Sequence, residues 1–403
     1  MVVDGVKFAV HRTLGDFETS DELISGLLPQ VEALQVTGAS EHALTMTVDH
    51  YLILQAVEAW LSTALRQYAA SSKLFLGEFD EALALIDPIT GPLVDEQGEF
   101  SWTALYSHGI KALTLAVAGR YAPCRQALEQ LEEAELPPGW DESRAGIPAC
   151  IARAHTALVD RRPERARAEL ELIMRHHGSS EWWPFVLALR TRMSFYFPEP
   201  GMIGYATSQL WSRKESPPTS RFMQVHMHCQ TAVAALAAGG LPQAASHLER
   251  AKELDYPRRP GACIEYAAAM LHAGRGEWEH VRLITELALE SREPTPQQEA
   301  ALGACLLHAG AQLLRSGAPD AQAELLGTEF RAALFAADTS GSYFDLLLIP
   351  SSLLLPLIAE HAPNEQTLLR GARRCVVTRR TGPGRESAPD RVGEEGAGRN
   401  AAD

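Results

Sequence analysis

The sequence has little lysine, few aromatic residues and no familiar catalytic or nucleotide-binding motif. Lysine supplies five of the 36 basic residues, and aromatic residues make up 7% of the chain. No G-x-x-x-x-G-K-[ST] phosphate loop, G-x-S-x-G nucleophile turn or S-x-x-K pair occurs in the 403 residues. These absences argue against nucleotide hydrolysis and acyl transfer. We therefore expect a chain that is not an enzyme and has no cofactor.

Paired cysteines and long apolar runs are also missing. The six cysteines lie far apart and form no C-x-x-C pair, which is typical of small buried residues in a reducing compartment. The most apolar stretch, residues 346–358, is interrupted by Pro350 and Pro356 and is shorter than the about 20 residues that span a bilayer. Because no signal-like run occurs near residue 1, we expect a cytoplasmic location and no membrane partner.

The charge balance is acidic, with 51 acidic against 36 basic residues and a formal net charge of −15. A surface of this sign repels the phosphate backbone of nucleic acids. We therefore expect no direct nucleic-acid binding by this chain.

A short motif recurs along the chain: a glycine, an aromatic or apolar residue two positions later, and a small residue five positions later. Its copies recur at intervals of about forty residues, which is typical of helical repeat proteins. One interval, between 161 and 239, is twice as long and predicts a hidden copy near residue 200, where Gly201 follows two prolines. The clear copies are Gly77, Phe79, Ala82; Gly119, Tyr121, Cys124; Gly239, Leu241, Ala244; and Gly276, Trp278, Val281, with degenerate copies near 161 and 317.

The chemistry of the motif predicts a turn between two packed helices. Glycine adopts the positive φ that ends a helix, and the small residue lets the second helix lie close to the first. A helix pair leaves an apolar face that only a neighbouring pair can cover. The sequence therefore predicts an all-α, right-handed solenoid of about seven degenerate helix-hairpin repeats over residues 42–370. A helical segment, 1–41, precedes it, and an Arg/Gly-rich tail, 371–403, is predicted to be disordered.

The motif copies resemble tetratricopeptide (TPR) repeats, with a longer period and without the usual tryptophan of the first helix. The period is similar to that of the helical-repeat region of MalT-like regulators, the large ATP-dependent members of the LuxR family of transcription regulators. The resemblance covers about residues 50–360. It implies that the concave surface of the solenoid binds a small-molecule inducer or a protein partner. The nucleotide-binding domain and the helix-turn-helix of that family are absent from this sequence.

An aromatic-rich segment is the strongest candidate for ligand contact. Nine of the 28 aromatic residues fall between 182 and 222, and such surfaces suit sugar rings, apolar effectors or peptide helices. We select Trp182, Trp183, Tyr205 and Trp211 as candidate ligand-binding residues. The alternative interpretation is a thicker core where the repeat motif degenerates.

A metal site is not predicted at His226-Met-His228-Cys229. On a helix His226 and Cys229 share a face, but two ligands do not make a site. We expect these side chains to be structural.

Three functional hypotheses remain. The first is an effector- or partner-binding regulatory module of a MalT-like transcription regulator. The second is a free-standing TPR-type adaptor for protein–protein interaction, and the third is an enzyme on a helical toroid. A helix-turn-helix encoded just downstream would favour the first, and a polar cluster lining one cavity would favour the third.

Overall fold

The computed structural model of the chain is all-helical in the residues that it describes. No β-sheet occurs there, and two residues, Val94 and Phe100, form an isolated antiparallel bridge. The all-α prediction is therefore confirmed. The structure describes residues 17–41, 48–95, 98–177, 181–197, 199, 201–211, 220–257, 259–316, 321–365 and 369–370.

Sixteen α-helices lie in these ranges. They are α1 Phe17–Glu41, α2 Val48–Leu76, α3 Phe79–Ile86, α4 Trp102–Val117, α5 Tyr121–Glu133, α6 Ile147–Val159, α7 Pro163–His177, α8 Trp183–Tyr196, α9 Met202–Trp211, α10 Arg221–Ala237, α11 Leu241–Glu253, α12 Cys263–Arg275, α13 Trp278–Ser291, α14 Pro296–Arg315, α15 Ala321–Ser340 and α16 Ser351–His361. Short 3-10 helices occupy Asp87–Ile89, Trp140–Glu142 and Asp345–Leu348.

The chain divides into two compact units, Met1–Ile349 and Pro350–Asp403. The second unit contains α16, which has Pro356 inside it. The predicted disordered tail, 371–403, lies outside the described residues. The domain boundaries predicted at residues 41 and 370 stay predictions.

From α2 to α15 the helices form seven consecutive pairs. The two helices of a pair are joined by a short turn and pack against each other. The first helix of each pair also contacts the first helix of the next pair, and each second helix contacts the first helix that follows it. This arrangement buries the apolar face of each pair against its neighbours.

The turns inside six of the pairs contain a residue with positive φ. For glycine this left-handed conformation carries no steric penalty, since glycine has no Cβ. Gly201 takes the place of the hidden copy expected near residue 200. The six residues are Gly77, Gly119, Arg161, Gly201, Gly239 and Gly276, with φ values from 59° to 82°.

Two backbone hydrogen bonds accompany these turns. The Gly77 N–H donates to the Leu74 carbonyl at 3.1 Å, and the Glu78 N–H donates to the Lys73 carbonyl at 2.9 Å. Corresponding pairs of bonds follow at Gly119, Arg161, Gly239 and Gly276. This is the Schellman motif, which satisfies helix-terminal carbonyls that would otherwise lack donors.

The small residue five positions after each turn residue is fully buried. A short side chain at this point allows the second helix to approach the first closely. The six residues, each with no exposed surface, are Ala82, Cys124, Ala166, Ala206, Ala244 and Val281.

Pairs that are distant in the sequence also touch. Ser220, which caps α10, donates a hydrogen bond to the Phe75 carbonyl of α2. The Tyr121 hydroxyl of α5 donates to Gln297 Oε1 of α14 at 2.8 Å, across 176 residues. Arg125 Nη1 donates to the Gly341 carbonyl at 2.8 Å. These contacts bring the first helices of several pairs around one interior region.

No helix among the described residues is both long and apolar enough to cross a membrane.

Replacing two turn glycines separates backbone strain from overpacking. Gly239→Ala should lower the free energy of unfolding by about 1 kcal/mol, because alanine is strained at a φ of 79° but meets no neighbouring atom. Gly119→Ala should cost about 1 to 3 kcal/mol more, because its new Cβ overlaps the Gln297 backbone and Cβ. Urea unfolding measures both losses. Equal losses would contradict the contact between the α4–α5 turn and α14.

Candidate functional site

The four aromatic residues selected from the sequence do not form one exposed surface. Trp182 is 2% exposed and packs against Phe75 and Phe185, with ring centroids 5.5 and 5.9 Å away. This burial leaves no face of the Trp182 ring for a ligand. Trp182 is a core residue because its ring, together with those of Phe75 and Phe185, fills the space between α2 and α8.

The other three residues differ from one another in exposure. Trp183 is half-buried against the small cluster that includes Leu187 and Met202. Tyr205 is 41% exposed, and the Arg190 guanidinium lies 5.9 Å from the centre of its ring. Trp211 ends α9, but its side chain lies outside the described residues. Ligand contact by these residues stays a prediction.

The candidate site is an interior cavity of about 50 Å³ where the first helices converge. A second cavity of about 30 Å³ shares several of its walls, including Arg192, His226 and Gln230. A water molecule needs about 10 to 15 Å³ measured in this way, so the larger cavity holds a few waters or one small molecule. Its polar lining comes from Arg192, Tyr196, His226, Cys229, Gln230, Cys263, Tyr266, Thr295, Gln297, Gln298 and Asp345.

Arg192 is the one charged residue of α8 that lies buried at this cavity. Its Nη1 donates to the Tyr121 hydroxyl oxygen at 2.9 Å, and Tyr121 in turn donates to Gln297. Burial raises the pKa of Tyr121, so its hydroxyl keeps its proton and can donate. The chain of two hydrogen bonds links α8, α5 and α14.

Asp345 supplies the negative charge opposite Arg192. The Tyr196 hydroxyl donates to Asp345 Oδ1 at 2.8 Å, and Arg192 Nη2 lies 3.6 Å from the same oxygen. Both charged side chains are more than 90% buried. Arg192 Nη2 is also buried and has no hydrogen-bond acceptor among the described residues. A buried donor without an acceptor at a cavity wall favours a bound acceptor there, such as water or an anion.

Two cysteines occupy another wall of the cavity. Cys229 of α10 and Cys263 of α12 both line it, together with His226. Arg259 Nη1 lies 3.4 Å from Cys263 Sγ. The neighbouring Cys229, His226 and Arg259 lower the pKa of Cys263, whereas burial raises the pKa of Cys229.

Several hydrogen bonds fix Arg259 beside Cys263. Its side chain has no exposed surface and donates to Asp255 at 2.7 Å, to both oxygens of Glu265 at 2.8 and 3.0 Å, and to the Gly261 carbonyl at 2.9 Å. A guanidinium paired with two carboxylates and a carbonyl has its orientation fixed. The positive charge thus stays close to Cys263.

The sequence places His226 and Cys229 on one face of a helix but does not indicate that Cys263 lies near them. Cys263 belongs to the next helix pair, and only tertiary packing brings it to the same cavity. Arg192 was also missed, although a sequence signal exists. It is one of two arginines in α8, whose sequence WPFVLALRTRMSFY is mainly apolar.

No protein-family model matches this chain, and no curated protein is significantly similar to it. The site therefore has to be interpreted from its own chemistry. In the part of the chain that the structure describes, the one group of three metal-ligating side chains lies away from the cavity, at the α12–α13 turn. The cavity thus offers a guanidinium, amide donors and thiol groups, but its described residues include no group of three converging metal ligands.

Removing the Asp345 charge should destabilise the fold strongly. Asp345→Asn should lower the free energy of unfolding by about 3 kcal/mol, because it leaves the Arg192 charge buried without a counter-ion. Asp160→Asn is the matched control, since its ion pair with Arg125 is one-third exposed and should contribute less than about 1 kcal/mol. Urea unfolding measures both, and similar losses would show that Asp345 does not neutralise Arg192.

The thiolate at Cys263 should be detectable by its ultraviolet absorbance. At neutral pH we expect Cys263 to contribute a thiolate, because it alone has a lowered pKa among the described cysteines. Cys263→Ser should abolish this contribution to the absorbance. Cys305→Ser should leave it unchanged, because burial raises the pKa of Cys305 to about 12. As the pH falls through the lowered pKa, the signal should disappear while the chain stays folded. A signal that survives in Cys263→Ser would contradict the assignment.

Proposed function

We propose that the chain is an effector-binding regulatory module built as a solenoid of about seven TPR-like helix pairs. Three features support the solenoid: helix pairs at intervals of about forty residues, a positive-φ residue in the turn of six of them, and contacts from each first helix to the next. In a solenoid a small change at the interface between neighbouring pairs accumulates along the array.

The observation that carries the regulatory part is the buried Arg192 amino group at the cavity. Its Nη2 atom lacks an acceptor among the described residues, and the amide of Gln230 lies on the same wall. A guanidinium edge with amide donors recognises a carboxylate or another small anion. The volume of about 50 Å³ limits this ligand to roughly four non-hydrogen atoms. We therefore propose a small carboxylate as the class of effector.

The cavity walls explain how such a ligand would regulate. Arg192, Gln230 and Gln297 belong to three different helix pairs. A ligand that contacts all three favours the spacing of the pairs in which its contacts are best. Binding then shifts the population toward that arrangement, and domains attached to or associated with the array respond.

The resemblance to MalT-like regulators fits this proposal and extends it. In that interpretation the chain is the sensing part of a LuxR-family transcription regulator, and DNA binding is supplied by another region or another chain. The acidic net charge of −15 agrees with DNA binding by another region or another chain. No step of the proposal requires a catalytic residue.

The experiment is calorimetric titration of the full chain with formate and acetate, with sodium chloride at matched ionic strength as reference. We expect at least one carboxylate to bind saturably and to raise the melting temperature. Gln230→Leu should weaken binding at least about tenfold, since a buried donor to the ligand is lost. Gln312→Leu is the control, because Gln312 contacts His308 and does not line the cavity.

Two results would overturn the effector proposal. One is that no carboxylate changes the melting temperature beyond the chloride reference. The other is that Gln230→Leu and the wild-type chain respond equally, which would place the ligand outside the cavity.

A second candidate function, the protein-interaction adaptor, is favoured by exposed apolar side chains on two second helices. Leu283 and Leu287 lie one turn apart on α13 and are 55% and 52% exposed, and Phe335 of α15 is 71% exposed. Exposed apolar side chains that cluster on a surface favour a protein partner. The variant Leu283→Glu with Leu287→Glu should abolish binding of such a partner and leave carboxylate binding intact.

A further inference from the structure

A compact group of potential metal ligands lies at the turn between α12 and α13. His272 is in the last turn of α12, Glu277 precedes α13, and His280 is in its first turn. The ligand atoms of the three side chains lie within 4.8 Å of one another. His272 Nδ1 and Glu277 Oε2 are 2.5 Å apart, and the rings of His272 and His280 stack with centroids 5.3 Å apart.

The turn geometry brings these residues together. Gly276 has a φ of 74°, and the Glu277 N–H donates to the His272 carbonyl at 3.0 Å. The chain therefore reverses between the two histidines. Residues four before, one after and four after the turn glycine then lie on one side of the turn.

The first helix pair provides an independent observation on the same three positions. There they are occupied by Lys73, Glu78 and Glu81, around Gly77. The Lys73 ammonium lies 2.6 Å from Glu78 Oε2 and 2.8 Å from Glu81 Oε2. Side chains at these three positions therefore lie within contact distance of one another in both turns. At the α12–α13 turn all three side chains can ligate a metal ion.

We propose that His272, Glu277 and His280 bind one divalent transition-metal ion, with Zn²⁺ as the best-fitting ion. Two imidazole nitrogens and one carboxylate oxygen form a donor set that zinc accepts at about 2.0 to 2.2 Å. Small rotations of these partly exposed side chains bring ligand atoms now within 4.8 Å to that distance. Three protein ligands leave a fourth position for water or for a carboxylate of a partner.

The metal would tie the end of one helix to the start of the next. Because His272 precedes the turn glycine in the chain and His280 follows it, the ion restrains the α12–α13 hairpin without entering the cavity. Arg275 and Glu279, which are both exposed and of opposite charge, are the charged neighbours of the site. This binding is independent of the carboxylate effector proposed above.

The test is calorimetric titration of the full chain with zinc sulfate, without chelating buffer. We expect one ion per chain, and a loss of at least about tenfold in affinity for each of His272→Ala, His280→Ala and Glu277→Gln, because each removes a ligand. Glu279→Gln is the matched control. Glu279 is an exposed glutamate near the same turn but outside the ligand group. The Glu279→Gln variant should therefore bind Zn²⁺ with the affinity of the wild-type chain.

Cobalt substitution distinguishes this site from the cysteines. Co²⁺ bound by two histidines and a glutamate shows weak visible bands and no thiolate charge-transfer band. The proposal is overturned if the wild-type chain binds no Zn²⁺, if the His272→Ala/His280→Ala double variant binds it as tightly as the wild type, or if a thiolate charge-transfer band forms. Circular dichroism of each variant confirms that the helices remain.

Discussion

A residue with positive φ joins the two helices of six pairs in the described part of the chain, and the packing of the first unit depends on this backbone constraint. In five of these turns two backbone hydrogen bonds close at the end of the first helix, and the chain changes direction within two residues. A fully buried small residue then follows five positions later, as at Ala82 and Ala244. Because the turn is short, the second helix has no freedom to move away from the first. The pairs therefore stack in one register, and the first helices are held around the interior cavity.

The interior of this unit is polar where the first helices converge. Arg192, Tyr121, Tyr196 and Asp345 form a buried, hydrogen-bonded network that no single helix pair could build. Buried charges are costly unless they are paired. One amino group of Arg192 lacks a hydrogen-bond acceptor among the described residues. We therefore consider Arg192 a candidate functional residue rather than a stabilising one. The thiols of Cys229 and Cys263 line another wall of the same cavity.

The aromatic-rich segment, residues 182–222, is where the structure departs most from the expectation based on sequence. Its composition predicted ligand contact, but Trp182 packs inside the core against Phe75, about a hundred residues earlier in the chain. Composition alone cannot distinguish a buried aromatic cluster from an exposed one, because both need the same residues. The metal-binding group at His272 was missed for a different reason. Its ligands are spaced by the turn rather than by helical periodicity, so a search along one helix does not find them.

The sequence by itself determined the all-helical class, the positions of the turns and the small residues behind them. These features are local, since a Schellman turn and the residue five positions later depend on neighbours within one hairpin. Only the tertiary structure decided which pairs meet across the interior, such as Tyr121 with Gln297, and which side chains line the cavity. Such contacts join residues that are far apart in the sequence. No local pattern in the sequence specifies them, because they form only when all the helix pairs are packed together.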